Sequence, residues 1–283
     1  MNKKLYNLMD WAAIEEIVYG EAAHPERLLG AHKAASNTVI QAFFPGASKV
    51  SIAFKSTVNK DSNKKEDKLS DVKMEEVDEN GYFAALVPGK TIPEYSYKVT
   101  YESESGKAIN KTFEEVYSNV NILSKDDIKN FSEGKLEKAD NLLGAHLTTI
   151  NSKKGCLFAV YAPNALRVSV IGEFNSNNSL THQMIKDDAS GIFYIFIPGV
   201  MEGCEYNYEI LVKGYDKYIK NDPYAKAYSK DLSKTVVTAE AKYSSSSRAL
   251  SAAERTAVFQ PSVSLSRTGI IVLRILLRNI AVS

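Results

Sequence analysis

The chain has 283 residues, 44% hydrophobic and 24% charged, with 35 Lys plus Arg against 34 Asp plus Glu. That length allows about two domains of roughly 100–200 residues each, and the charge balance argues against a nucleic-acid binder, which would carry a basic excess. Cys156 and Cys204 are too few for a disulfide scaffold or a zinc cluster, and no signal-peptide pattern or 18-residue apolar span occurs, so free thiols and a cytoplasmic location are expected, with no membrane partner.

Along residues 5–20, Leu5, Leu8, Met9, Ala12, Ala13, Ile14, Ile17 and Val18 follow helical spacing around Trp11, the single tryptophan. A short amphipathic helix docked on the module that follows is expected over 1–20. From residue 21 the chain turns to strands. Val50, Ile52 and Phe54 alternate with Ser51 and Ala53, and Tyr95, Tyr97, Val99 and Tyr101 alternate with polar residues. A period of two places those side chains on one strand face, packed on a core. The charged run 60–68 reads as a solvated loop, and 124–140 as a charged linker with one helical turn.

The second half repeats the first. Leu28-Leu29-Gly30-Ala31-His32 recurs as Leu142-Leu143-Gly144-Ala145-His146, Pro45–Ile52 pairs with Pro163–Val170, Gly81–Gly89 with Gly191–Gly199, and Tyr95–Val99 with Tyr206–Ile210. The offsets are 114, 118, 110 and 111, in one order. Tandem duplication of a module of about 100 residues explains this pattern. The fold expected is all-β: two immunoglobulin-like β-sandwich modules over 21–123 and 141–243, a short N-terminal helix, and an atypical tail over 244–283. The duplicated His32 and His146 read as a repeated structural hydrogen bond, and the Tyr-x-Tyr pairs as core.

Residues 241–283 hold six basic residues against Glu254 alone, leaving 29 basic and 33 acidic in 1–240. This break, after the Ser244–Ser247 run, sets the tail apart. Its Ile270–Ile280 stretch, with Arg267, Arg274 and Arg278 at helical spacing, reads either as a basic amphipathic helix for an anionic surface or as an out-of-frame or disordered tail; the charge break favours the latter.

No phosphate-binding glycine loop, no H-E-x-x-H spacing and no Cys–His pair is present, so no catalytic residue, metal ligand or cofactor is assigned. The second copy nevertheless resembles a known family. Leu142–His146, Phe158-Ala159-Val160-Tyr161-Ala162-Pro163-Asn164-Ala165, Val168–Asn175, Gly191-Ile192-Phe193, Tyr206–Ile210 and Asp222-Pro223-Tyr224-Ala225 are similar, in order, to the amino-terminal region of bacterial 1,4-alpha-glucan (glycogen) branching enzymes. The resemblance covers about residues 20–240. It implies tandem modules of carbohydrate-binding module family 48 ahead of a (β/α)8 barrel that performs a retaining transglycosylation. With 59 residues after Tyr224 and about 250 needed for a TIM barrel, no barrel is expected in this chain.

The resemblance thus implies a truncated amino-terminal part of a glycogen branching enzyme, inactive alone; the alternative is a stand-alone alpha-glucan-binding or scaffold protein. Two departures stand out. The first copy has Glu114-Glu115-Val116-Tyr117 where an Asp-Pro-Tyr segment belongs, and Asn177 occupies the place of a sugar-stacking tryptophan. Weak or undetectable alpha-glucan binding is therefore expected, the candidate contacts being the loop aromatics Tyr215 and Tyr218 with Asn175, Asn177 and Asn178 as hydrogen-bonding partners.

Overall fold

A computed structural model describes residues 2–55 and 71–239. The 60–68 run and the 244–283 tail lie outside the described residues.

The amino-terminal segment forms two helices rather than the one expected. Asn2 caps α1 (Lys3–Tyr6), and Asp10, accepting from Ala13 N at 3.2 Å, starts α2 (Trp11–Tyr19) anew. Leu5, Ile14 and Ile17 are buried.

The first module contains β1 (Gly30–Ala34), β2 (Asn37–Phe43), β3 (Ala47–Phe54), β4 (Val72–Lys73), β5 (Glu75–Asp78), β6 (Tyr82–Pro88), β7 (Tyr95–Glu102) and β8 (Ala108–Glu114). Its antiparallel sheets run β1-β2-β6-β5 and β4-β3-β7-β8. After α3 (Lys125–Ser132) come β9 (Gly144–Ile150), β10 (Lys153–Tyr161), β11 (Ala165–Gly172), β12 (Ile185–Asp187), β13 (Ile192–Pro198), β14 (Glu205–Val212), β15 (Lys217–Lys220) and β16 (Thr235–Val236). These form sheets β12-β13-β10-β9 and β11-β14-β15, with β16 pairing β14. Strand order repeats between the modules, and the bridge Ser169–Gln183 stands where β4 pairs β3. The described residues are all-β apart from short helices.

The expected alternation holds where a sheet has one core face: Val50, Ile52, Phe54, Tyr95, Tyr97 and Val99 fill the first sandwich. It fails in β2 and β13, which are buried on both faces. The second face of β2 and β6 (Val39, Phe43, Tyr82, Ala84) packs with Leu5, Ile14 and Ile17 in a core that runs on into the second module.

The 124–140 segment has the same role as the amino-terminal helix. Ser124 caps α3, whose Ile128 and Phe131 pack on the second module's core, with Phe131 edge-on to Tyr161 at 5.2 Å. Both helices end on a left-handed glycine, Gly20 and Gly134, 114 residues apart. Both close with the same bonds, Glu21 N to Glu16 O and Lys135 N to Asn130 O. The duplicated unit therefore begins with a helix, and what reads as a linker is its second copy. The helical segment also departs from the expectation that it docks on the first module alone: Gly20 O, Ile17 O and Ala23 O accept from Arg167 Nε (2.7 Å), Gln183 Nε2 (3.2 Å) and Lys186 N (3.0 Å) of the second module.

Candidate functional site

Each Tyr-x-Tyr pair is core and points its hydroxyls at one buried carboxylate. Tyr206 and Tyr208 donate to Asp222 Oδ2 at 2.6 and 3.2 Å, while Tyr224 N donates to Oδ1 at 2.8 Å. In the first module, Tyr95 and Tyr97 donate to Glu115 Oε2 at 2.9 and 2.5 Å, and Tyr117 N to Oε1 at 2.6 Å. Glu115-Val116-Tyr117 is thus the counterpart of Asp222-Pro223-Tyr224, and the apparent departure in the first copy preserves the contact. Burial raises the Asp222 carboxyl against the lowering effect of the Tyr206 bond, and burial together with the carboxylate charge raises the tyrosines. The duplicated histidines match as well: His32 Nε2 donates to Leu29 O at 3.0 Å and His146 Nε2 to Leu143 O at 3.1 Å. Cys156 is buried and its thiol is pushed up by that burial, which leaves no reactive thiolate.

The five candidate glucan contacts are not brought together. The structure corrects Asn175, which is 3% exposed. Its Oδ1 accepts from Gly172 N at 3.0 Å, and its Nδ2 donates to Val170 O at 2.8 Å and His182 Nδ1 at 3.0 Å. The amide is spent on holding the turn after β11. Asn177 is exposed, and Asn178 is half-buried with its Oδ1 accepting from Leu180 N at 2.9 Å. Their loop returns along the edge of β11 away from β14, where Met184 N donates to Val168 O at 2.8 Å. It lies against the first module, with Lys111 bonded to Ser176 and Thr181 and His182 facing Gln41, Phe113 and Tyr117 across a narrow cleft.

Tyr215 and Tyr218 sit on the opposite edge. Tyr215, at the β14–β15 turn, is 65% exposed; Tyr218, paired with Ile210 in β15, is 45% exposed and has Lys220 Nζ 5.7 Å from its ring centre. Two strand spacings, about 10 Å, separate that edge from β11. The surface therefore offers an aromatic edge and a separate asparagine loop, not one pocket.

His182 is expected to make the stability of the fold depend on pH. Burial lowers its pKa to about 4, so it is neutral when folded and takes up a proton on unfolding below its ordinary 6.5. Its contribution to stability is present above pH 6.5 and is lost as pH falls towards 4, by up to about 1.4 kcal/mol per pH unit. Thermal melts of the parent and His182→Gln between pH 7 and 4.5 should converge as pH falls; parallel curves would contradict this environment.

Two modules of one sandwich topology with matching carboxylate–tyrosine clusters define a tandem β-sandwich protein. Residues 142–225 match Carbohydrate-binding module 48 (Isoamylase N-terminal domain), and residues 10–113, starting at the α2 cap, match the alpha-1,4-glucan branching enzyme GlgB, N-terminal domain. Over more than three quarters of its length the chain is similar to glycogen branching enzymes, in their amino-terminal region. The 1,4-alpha-glucan branching enzyme GlgB of Picrophilus torridus is 34% identical over 223 residues, 78% of this chain and 28% of that protein. The Saccharophagus degradans enzyme of the same name is 35% identical over 218 residues, 77% and 28% of the two chains. A pullulanase structure from Anoxybacillus sp. LM18-11 aligns with 74% of this chain and 27% of its own at 18% identity, with a TM-score of 0.29. The chain thus spans about 28% of the length of the branching enzymes it matches.

Among the described residues no helix is long and apolar enough to cross a membrane, and no group of three or more His, Cys, Asp or Glu could hold a metal ion.

Proposed function

We propose that this chain supplies weak alpha-glucan contact within a cytoplasmic protein of the branching-enzyme type, and that it contributes no bond-making residue. The observation that carries this reading is the exposed edge of the second module. Tyr215 and Tyr218 keep their rings in solvent beside Tyr206 and Tyr208, which are fully buried. A tyrosine face complements the apolar face of a glucose ring, and each such stack contributes on the order of 1 kcal/mol. Two such stacks, about 2 kcal/mol, correspond to tens of millimolar, and two further hydrogen bonds of about 1 kcal/mol each bring this to roughly millimolar affinity. Asn177 and Asn178 add a second polar contact along the other edge.

Affinity electrophoresis in glycogen gels tests the reading. The chain should be weakly retarded, and Tyr218→Ala should lower the apparent affinity about fivefold with no change in thermal midpoint. Retardation that survives both Tyr215→Ala and Tyr218→Ala would remove the edge from the contact surface, and no retardation of the parent chain would favour the scaffold alternative.

A further inference from the structure

We infer that the carboxyl end of α2 is the support on which the second module's 173–184 loop is built, with Arg167 as the positioning residue. The first module's helix would then set the conformation of the loop that carries Asn177 and Asn178. The glucan consequence rests on the reading above; the coupling itself does not.

Arg167 lies in β11 and is fully buried. The sandwich does not require a buried cation at this place. In the first module the residue after the same register shift, Lys49 opposite Thr100, is exposed. What buries Arg167 is the other module's helix. Its Nε donates to Gly20 O at 2.7 Å, its Nη2 to Glu209 Oε1 at 2.7 Å, and its Nη1 to Ser179 O at 3.1 Å and to Ser169 Oγ. One guanidinium therefore joins the helix end, the loop and β14, a span its rigid fork can make and an ammonium cannot.

Gln183 repeats the connection. It is fully buried, and its Nε2 donates both to Ile17 O at 3.2 Å and to Leu180 O at 3.3 Å. Both donors meet carbonyls at the carboxyl end of α2, where the helix carries partial negative charge. Gly20 closes the contact. At φ +70° it ends α2 in the left-handed region, and a Cβ there would lie 2.8 Å from Leu180 Cδ2 and 3.1 Å from Arg167 Nε. Loop and helix end are thus fitted to each other at a residue without a side chain.

Hydrogen exchange of the full chain tests the coupling. Arg167→Lys keeps a cation beside Glu209 but cannot reach all three partners. The amides of Asn177 and Leu180, bonded to Gly172 O at 2.8 Å and Asn178 Oδ1 at 2.9 Å, should exchange at least about tenfold faster, with Phe158 and Ile195 in the sandwich unchanged. Gly20→Ala, which leaves Arg167 in place, should give the same loop pattern and decides the matter alone if Arg167→Lys does not fold; Gln183→Met serves as the third. Loop exchange within about twofold of the parent, with faster exchange in β10 and β13, would overturn the inference. Loosened loop amides with unchanged glycogen retardation would support the coupling while removing Asn177 and Asn178 from the glucan surface.

Discussion

Asp222→Ala should lower the thermal midpoint of the chain by about 8–16 °C, the equivalent of about 4 kcal/mol at this size. The substitution removes the acceptor for two hydroxyls and one amide at once, those of Tyr206, Tyr208 and Tyr224. Tyr206 and Tyr208 are 1% and 0% exposed, so water does not replace the lost partner. A buried donor left unpaired costs about 1–3 kcal/mol, and the sum is reduced because burying the charged carboxylate is itself unfavourable. Asp222→Asn keeps one acceptor oxygen and relieves that charge, so a loss of about half is expected. Glu115→Ala should act likewise on the first module through Tyr95, Tyr97 and Tyr117. Differential scanning calorimetry reads all three, and a loss below about 1 kcal/mol for Asp222→Ala would show that the cluster is not held as described.

Gly81→Ala should cost about 3 kcal/mol, or roughly 6–12 °C. Gly81 sits at φ +99°, and a Cβ built there would lie 2.4 Å from the Phe44 carbonyl oxygen, a backbone atom that cannot turn aside. The same residues are joined by a bond from Phe44 N to Gly81 O at 2.9 Å, so a shift that relieves the clash also weakens the link between β2 and β6. Gly46 offers the control. It too has a positive φ, +76°, but an added Cβ would meet nothing within 4 Å. Gly46→Ala therefore carries the backbone strain alone, about 1 kcal/mol. Equal losses at the two positions would mean that the close approach at Gly81 contributes nothing.

Much of this architecture is legible in the sequence because duplication writes it twice. Four paired segments in one order identify two modules, and period-two alternation identifies the tyrosine faces. The repeat in fact extends further towards the amino terminus, to Asp10 and Ser124, Ile14 and Ile128, Ile17 and Phe131, and Gly20 and Gly134, all 114 apart. The charged residues between these positions in the second copy hide the helix, since only its cap, two apolar contacts and final glycine are kept. Glu115 is concealed for a similar reason: the contact needs a carboxylate two residues before a tyrosine, and glutamate with valine satisfies it as aspartate with proline does.

Asn175 and Arg167 were beyond reach of local patterns. Asn175 is separated from the exposed Asn177 by one residue, and only the turn made at the end of β11 decides that one amide faces inward. Arg167 occupies the strand face opposite Val168 and Val170, which alternation assigns to solvent; its partner Gly20 is 147 residues away in the chain. Nothing within a strand's length signals such a neighbour.

The most direct test of the whole account is an amide NMR titration of the full chain with maltoheptaose. Glucan contact at the exposed edge predicts millimolar-range shifts concentrated at Tyr215, Tyr218 and their β14 neighbours Val212 and Ile210, with a weaker set at Asn177 and Asn178 and none at Tyr206 or Tyr208. Shifts confined to the first module, or no shifts at saturating glucan, would contradict it.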